Sequence, residues 1–394
     1  MRFKYLSLLA LLVLFAVSCE KKQEGLVLSI PLPLTGSSAN FGEAQKNAYL
    51  LAAEEINAAG GIKGEKLNLN FEDSQGKAEI ARSIAEKLIE NKQPVLFGEY
   101  TSACAKAVAA VSEERKIPYL VVSSAADDIT QKNYKYVYRL NPTNAYYSSA
   151  LMSFLKEVVQ PKTVAILYES SDFGTSGAEA MKKEAEKAGY KVLISEKYEK
   201  GAVDFKPLLT KVKAANPDVL YMVSYVMDAS LLMKQIKELR LDAKLFAGGA
   251  AGFAIPEFLT NAKDAAEYTF SATLWSPEVK YEGAAAFAKK YKEKYGKEAG
   301  YHAALAYSAM YVIKDALTRA KSRSPEDIRE ALKATSMTTA FGPVKFEDRE
   351  GYQNQNFVET LLLQVQKGKF ETVWPAGVAS SKFIYPIPSW KERK

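Results

Sequence analysis

Hydroxyl side chains stand at two turns in the stretch from Gly98 to Thr130, where they could bind a small anion. Each turn follows a short apolar run. The first turn contains Tyr100 and Ser102, and the second contains Ser123. The pattern predicts strand, turn, helix, strand and turn. In an open parallel sheet, the turns after the carboxyl ends of strands line the ligand crevice, and a helix start attracts anions. We therefore expect a small carboxylate to bind near Ser102.

The sequence carries none of the common catalytic or nucleotide-binding motifs. His302 is the only histidine, and we expect it to be structural or exposed. A Ser-His-Asp arrangement would depend on His302, yet no G-x-S-x-G turn presents a serine. The glycine-rich segment 248–252 does not fit G-x-G-x-x-G, and no P-loop occurs. Metal-ligating residues are not clustered either. We therefore predict no catalytic residue, no metal and no cofactor.

The N-terminus predicts export and a lipid anchor. Two basic residues precede an unbroken apolar run that ends at Ser18. This run is too short for a membrane-spanning helix and is laid out as a secretory signal. The residues up to Cys19 resemble the lipobox of bacterial lipoproteins, with Ala16 in place of the usual leucine. An ordinary signal peptide cut nearby is the alternative. We predict a signal peptide over 1–18 and a lipid-anchored tether over 19–25.

The chain is long enough for two lobes and is weakly basic. It has 394 residues, of which 48% are hydrophobic and 25% charged, so it exceeds one typical domain. Removal of the signal leaves a net charge of about +5, with lysine and glutamate interleaved along helical segments. Such interleaving is typical of solvated helix faces, and we predict no nucleic-acid partner. With Cys19 lipidated, Cys104 is the one remaining cysteine and can form no intrachain disulfide.

Apolar strands and amphipathic helices alternate along most of the chain. The alternation begins at Leu26, restarts after Pro142 and loosens beyond Gly248. Strands separated by helices of this length favour parallel sheets with crossover helices. Two such runs predict an α/β protein with two doubly wound parallel-sheet lobes.

Between Leu26 and Val373 the sequence resembles the leucine/isoleucine/valine-binding family of periplasmic solute receptors for ABC transporters. The resemblance rests on the order and spacing of several motifs: LPLTG at 32–36, FG at 41–42, AAEEINAAGGIKG at 52–64, Asp73 at a strand end, the turn 98–102, Tyr168-Glu169 with DFG at 172–174, and FGP at 341–343. It implies two type I periplasmic-binding lobes, joined by three crossover segments and closing over one ligand. The implied bounds are 26–142 and 275–342 for lobe one, 143–274 and 343–375 for lobe two, and 376–394 for a C-terminal strap or tail.

The resemblance also implies which residues contact the ligand. Ser102 matches a serine that holds the ligand carboxylate, although a plain helix N-cap is the alternative. Tyr100 shares that turn. Ser123 and Ala125 lie in the second binding turn, which is shorter than in the family and ends at Asp127. That acid would either contact a ligand ammonium or cap the following segment.

Aromatic residues are implied as the walls of the site. Phe41, Phe173 and Tyr225 match family aromatics, although each could instead belong to the core. The clearest departure lies at Ala250 and Ala251, where amino-acid receptors of the family carry a glutamate that pairs with the α-ammonium. An enclosed ammonium without a counter-charge is costly. The ligand therefore either lacks an amine or uses another acid, for which the candidates are Asp127, Asp172, Asp228 and Glu169.

Together these features indicate a monomeric, non-enzymatic receptor in the cell envelope, held to the membrane only through its N-terminal lipid. It would bind a small carboxylate or amino-acid-like ligand and deliver it to an ABC permease. A ligand sensor of the same fold, contacting a signalling partner, is the first alternative. An envelope α/β enzyme is the second, and the sequence lacks the catalytic residues that it would need.

Overall fold

The computed structural model describes residues 25–393. The predicted signal peptide and the lipid attachment at Cys19 lie outside the described residues. The strands are β1 (Leu26–Leu32), β2 (Leu67–Asp73), β3 (Leu96–Gly98), β4 (Tyr119–Val121), β5 (Val137–Arg139), β6 (Thr163–Glu169), β7 (Lys191–Tyr198), β8 (Val219–Val223), β9 (Leu245–Gly248), β10 (Phe270–Thr273), β11 (Ser336–Thr339), β12 (Gly342–Arg349), β13 (Tyr352–Asn356), β14 (Leu361–Gln366) and β15 (Lys369–Trp374). The α-helices are α1 (Ala39–Ala58), α2 (Ala78–Glu90), α3 (Ser102–Arg115), α4 (Asn144–Tyr147), α5 (Ser149–Phe154), α6 (Asp172–Lys187), α7 (Lys206–Ala215), α8 (Val226–Glu238), α9 (Pro256–Ala262), α10 (Ala284–Tyr295), α11 (Tyr301–Arg319) and α12 (Pro325–Lys333).

The first lobe is built on a mostly parallel sheet. β1 pairs with β2 in parallel, and the Glu99 amide donates to the Pro31 carbonyl at 2.9 Å, which places β1 beside β3. The sheet continues in the order β3, β4, β5, β13, β12 and β11. Because β1 lies between β2 and β3, the strand order reverses there, and the turns that follow β1 and β3 open at one crevice.

The second lobe contains a seven-stranded sheet in the order β15, β14, β10, β9, β8, β6 and β7. The five strands from β6 to β10 run parallel to one another, whereas β14 and β15 return antiparallel. All five residues of β8 are buried, as expected for a strand covered by helices on both faces. The predicted fold class of two doubly wound lobes is confirmed.

The chain passes between the lobes three times, after β5, after β10 and after β13. The third passage differs from the sequence-based boundary. Residues 343–356, assigned there to lobe two, form β12 and β13, and β13 pairs in parallel with β5 in lobe one at Gln355 and Arg139. The lobe therefore changes between β13 and β14, because the edge of the first sheet beyond β5 needs a partner strand.

The C-terminal segment from residue 376 packs on the second lobe as a strap. Gln364 donates from Nε2 to the Ile384 carbonyl at 2.9 Å, and Trp390 donates from Nε1 to the Leu241 carbonyl at 2.7 Å. The Arg393 guanidinium lies 3.7 Å from the centroid of the Trp390 ring. Across residues 25–393, no helix has the length and apolarity needed to cross a membrane.

Candidate functional site

Five aromatic rings from both lobes meet where the strand ends of the two sheets face each other. We call this group the site cluster: Phe41, Tyr100, Phe173, Tyr225 and His302. Phe41 stacks on Tyr100 with ring centroids 4.2 Å apart, and both rings approach His302 at 5.0 and 5.1 Å. Tyr225 of the second lobe lies 5.8 Å from Tyr100 and 5.3 Å from Phe173. Each ring is at most 6% exposed. The rings therefore form a buried contact between the lobes.

A cavity of about 210 Å³ opens beside the site cluster. Phe41 and His302 line it from the first lobe, and Ile255 and Pro256 line it from the second. The cavity thus lies at the boundary between the lobes.

Ser102 occupies the first position of α3, two residues after Tyr100. Its neighbour Thr101 is the N-cap, because the Thr101 hydroxyl accepts from the Cys104 amide at 3.3 Å. The Ser102 hydroxyl instead accepts from the Ala126 amide at 3.2 Å, which joins the two hydroxyl-bearing turns. The alternative in which Ser102 is the helix cap is therefore wrong. Among the described residues, the Ser102 hydroxyl donates to no protein acceptor.

The second turn is held from three sides. Ser123 accepts a short hydrogen bond from the Gln45 side chain of α1. Ser124 donates to the Tyr100 carbonyl at 2.9 Å and can also reach the Thr101 carbonyl at 3.1 Å. The Ala125 carbonyl accepts from the Asn144 amide of the second lobe at 2.8 Å. These bonds fix the turn against α1, α3 and the first interlobe passage.

Asp127 links the lobes. Its carboxylate accepts from the Ser176 hydroxyl of α6 at 2.8 Å and from the Ala145 amide at 3.2 Å, both in the second lobe. The Tyr352 hydroxyl of the first lobe donates to it at 2.6 Å. Asp127 also begins a short 3₁₀ turn at residues 127–129. The structure therefore places this carboxylate on a lobe-to-lobe bond rather than in the site cluster.

A second link between the lobes is ionic and involves Lys106. Lys106 of α3 lies 2.8 Å from Asp128 in its own lobe and 3.4 Å from Asp172 in the other. The Asp172 side chain is 42% exposed. Partial exposure screens such a pair, so we attribute to it orientation of the lobes more than stability.

The other two candidate acids serve the second lobe. Glu169 has no exposed surface and accepts from the Ser171 hydroxyl, from the Ser171 amide at 2.8 Å and from the Gly174 amide at 3.0 Å. It thereby caps the start of α6. Asp228, 4% exposed, accepts from the Gly201 amide at 3.1 Å. Burial raises the pKa of both carboxyls, and the nearby Lys200 ammonium opposes that rise.

Sequence reasoning did not assign to the site three residues, two at the start of α11 and one at the end of α4. His302, expected to be structural or exposed, is 3% exposed and therefore buried, and burial lowers its pKa to about 3. It is therefore neutral at physiological pH. Tyr301 accepts from the Ala251 amide at 3.0 Å, and Tyr147 bonds to Asn141. The Ala/Tyr-rich pattern of this helix was visible in the sequence. Its contact with the first turns of lobe one could not be predicted, because those turns lie far away along the chain.

The Tyr100 hydroxyl lies among polar groups. Burial, together with the Tyr301, Tyr225 and Tyr147 hydroxyls and the Glu169 carboxylate, raises its pKa well above the usual value. Tyr100 thus remains a neutral hydrogen-bond donor. Because the surrounding hydroxyls come from both lobes, a polar group placed here would contact both lobes at once.

The glycine-rich loop after β9 sets the position of Tyr225. A Cβ on Gly252 would lie 2.4 Å from the Tyr225 carbonyl carbon and 2.5 Å from the Val226 amide. Only glycine permits this approach, which lets the loop close on the start of α8. Ala250 beside it has φ of 59°, a conformation that L-residues seldom adopt.

Glu99 lies directly behind the Tyr100 turn and has no exposed surface. Its Oε2 atom accepts from the Ser74 hydroxyl at 3.2 Å and more weakly from the Tyr100 amide at 3.4 Å, while Oε1 has no partner among the described residues. Desolvation raises the pKa of Glu99 to about 7, and the Asp73 carboxylate adds to the rise. The turn is therefore coupled to a buried carboxyl that titrates near neutrality.

A family model described as periplasmic binding protein matches residues 29–369 of the chain. Leu/Ile/Val-binding protein homolog 8 of Brucella melitensis is 30% identical over 374 residues, covering 90% of this chain and 91% of that protein.

Solved structures are similar over almost the whole described chain. The leucine-binding protein LivK of Thermotoga maritima gives a TM-score of 0.81 at 24% identity, covering 88% of this chain and 97% of that one. LivJ of Streptococcus pneumoniae, in complex with isoleucine, gives 0.80 at 23% identity and covers 89% and 100%. At these identities the two structures establish the fold.

Ser176→Ala is expected to weaken the link between the lobes at Asp127, because the Ser176 hydroxyl donates to the Asp127 carboxylate at 2.8 Å and accepts from the Asp127 amide at 3.1 Å. Loss of the bond to the carboxylate alone corresponds to about 1 to 3 kcal/mol, so the open form of the ligand-free protein should gain population. Distance measurements between spin labels on the two lobes report this. Ser195→Ala, at an exposed serine of β7, is the control; equal distance distributions in all three proteins would contradict the role of Ser176.

Glu99→Gln is expected to flatten the dependence of stability on pH. Because the pKa of Glu99 is higher in the folded protein than in the unfolded chain, the folded state binds more protons between about pH 4.5 and 7. The unfolding free energy of the wild type should therefore fall with rising pH by up to roughly 3 kcal/mol relative to Glu99→Gln, and level off above pH 7. Urea unfolding at several pH values measures the difference. Glu114→Gln, at an exposed position, should show the same dependence of unfolding free energy on pH as the wild type. If Glu99→Gln shows that dependence too, the raised pKa of Glu99 does not contribute to stability.

Proposed function

The chain belongs to the periplasmic binding protein family, and on that premise we propose that it is an extracytoplasmic solute receptor serving an ABC permease. It would close its two lobes over a small carboxylate or amino-acid-like ligand. One observation carries the proposal: buried aromatic rings from both lobes meet at the strand ends, next to the Ser102 hydroxyl with its free donor and beside an opening at the lobe boundary. Its matching relative is named for leucine, isoleucine and valine binding, which supports an amino-acid-like or carboxylate ligand.

We propose that the ligand acts by shifting a population. Contacts to both lobes favour the closed form over the open form, and the permease recognises the closed form. Ser102 would donate to the ligand carboxylate, with Ser123 and Ala125 shaping the turn beside it. Phe41, Tyr100, Phe173 and Tyr225 would provide the apolar walls. In this assignment Asp127 and Asp172 hold the lobes together, and Glu169 and Asp228 support the second lobe.

The family consists of substrate-binding proteins rather than enzymes, and its members are extracytoplasmic. We further propose that this chain is itself non-catalytic, is attached to the membrane through a lipid on Cys19 and acts as a monomer. The apolar run before Cys19 and the lipobox-like residues support the anchor. Metabolic labelling with a fatty-acid analogue, lost on Cys19→Ala, would test it.

The mature protein should give at least one stabilising hit in a thermal-shift screen of amino acids, aromatic acids, short amides and dicarboxylates, because a ligand that binds only the folded state raises the midpoint. Absence of any hit, together with no ligand in mass spectra of the denatured protein, would count against a receptor.

With a ligand identified in that screen, Ser102→Ala should weaken binding by about 1 to 3 kcal/mol, roughly 5- to 150-fold in the dissociation constant. Calorimetric titration measures the change. Ser83→Ala, at an exposed serine of α2, is the matched control. If both variants bind like the wild type, Ser102 serves only to hold the Ala126 amide.

A further inference from the structure

Glu169, whose charge acts on two tyrosine hydroxyls of the site, already accepts three hydrogen bonds from the protein. Glu169 interacts with both Tyr100 and Tyr225. Its Oε1 atom accepts from the Ser171 hydroxyl and the Gly174 amide, and Oε2 accepts from the Ser171 amide. An ammonium group would have to compete with the bonds that hold the start of α6. Glu169 is therefore poorly placed to receive an amine.

The remaining candidate acids are committed as well. Asp127 accepts from three protein donors, two of them across the lobe boundary, and Asp172 pairs with Lys106. Asp228 accepts from the Gly201 amide and has the Lys200 ammonium nearby. Each carboxylate thus already has a donor or a cation.

Residues 250 and 251, where the resembling amino-acid receptors carry a glutamate, offer no charge. Ala250 and Ala251 are buried, and the Ala251 amide donates to the Tyr301 hydroxyl at 3.0 Å. The polar contact at this position is therefore neutral and internal to the protein.

Three of the ring faces that could attract a cation, one on each of Tyr225, Phe41 and Tyr100, are also occupied. Lys200 Nζ lies 4.6 Å from the centroid of the Tyr225 ring. Phe41 and Tyr100 cover one face of each other at 4.2 Å. A ligand ammonium would meet a lysine at Tyr225 and would find the stacked faces closed.

By contrast, the site keeps donors for an anion. The Ser102 hydroxyl has a donor free of protein acceptors among the described residues, and Tyr100 is a neutral hydroxyl at the centre of the site. Both hydroxyls can donate to a carboxylate, and neither gives an amine a counter-charge.

Resting on the proposed receptor function, we propose that the site selects carboxylic acids that carry no amine, and that it discriminates against the corresponding α-amino acids. The four candidate acids are all engaged in bonds within the protein, so a buried ammonium would have to displace one of those bonds or stay unpaired, and an unpaired buried charge is strongly disfavoured. The carboxylate would bind at Ser102 and the body of the acid would pack against the site cluster.

The test is calorimetric titration of the wild-type protein with pairs of acids that differ only in the amine. The pairs are 3-phenylpropanoate with L-phenylalanine, and 4-methylpentanoate with L-leucine. We expect the amine-free member of at least one pair to bind at least about tenfold more tightly than its partner. Equal or tighter binding of the amino acid in every pair that binds would overturn the inference, while the receptor function would stand.

If neither pair binds, the inference about amine-free acids also fails. The wider thermal-shift screen then decides whether the proposed receptor function fails with it. A hit there from a solute that is not an amine-free acid keeps the receptor function and excludes this ligand class. No hit contradicts both.

A reversal variant tests the same point from the protein side. Ala250→Glu supplies the missing anion, and Ala250→Gln adds the same bulk without charge and imposes the same backbone conformation. Relative to Ala250→Gln, we expect Ala250→Glu to lose affinity for the amine-free acid and to gain affinity for the amino acid, each by about tenfold. Equal ratios in the two variants would contradict the proposed electrostatic selection. Circular dichroism of both variants checks that they fold, and the wild-type titrations decide the inference if they do not.

Discussion

The arrangement of the site depends on one buried cation, Arg139, at the end of β5. The guanidinium has no exposed surface and donates to the Gln355 side chain at 2.6 Å, the Ala126 carbonyl at 2.6 Å and the Thr130 hydroxyl at 2.7 Å. Gln355 in turn donates to the Asn141 carbonyl at 2.8 Å. A buried guanidinium must satisfy its donors within the protein. Its acceptors therefore lock the second binding turn to the first and third interlobe passages.

That constraint ties the turn containing Ala126 to the interlobe passages. The turn that ends at Asp127 begins from a strand of the first lobe, yet its carboxylate bonds to Ser176 in the second. Because Arg139 prevents the turn from moving independently of the passages, opening the lobes must break the bonds at Asp127 and at Lys106 rather than bend the turn. The lobes can then move between one open and one closed arrangement, and each lobe keeps the same internal structure in both. A ligand would add contacts to the closed arrangement.

The alternating pattern was enough to predict two doubly wound lobes, because buried parallel strands and crossover helices leave strong local signals. It did not reveal β5, which has three residues, or β13, which is polar, and the Arg139 side chain joins the two strands through Gln355. The same limit applied at the site. Ser102 and the aromatic positions follow strand ends and could be located from sequence, whereas His302 and Tyr301 enter from a helix that lies some 200 residues further along the chain.

The fold and the ligand preference of this receptor therefore have separate physical origins. Backbone bonds at the first turns of α3 and α6 position the donors, and they do not depend on which side chain stands at residue 250. Selectivity arises instead from whether a charge is available to the ligand after the protein has satisfied its own groups. Glu169 accepts from the Gly174 amide at the start of α6, and the Ala251 amide donates to the Tyr301 hydroxyl. Because these groups are already bonded, binding of a ligand that carries an ammonium besides its carboxylate is disfavoured. A family scaffold can thus change its ligand class through a few committed hydrogen bonds while both lobes stay intact.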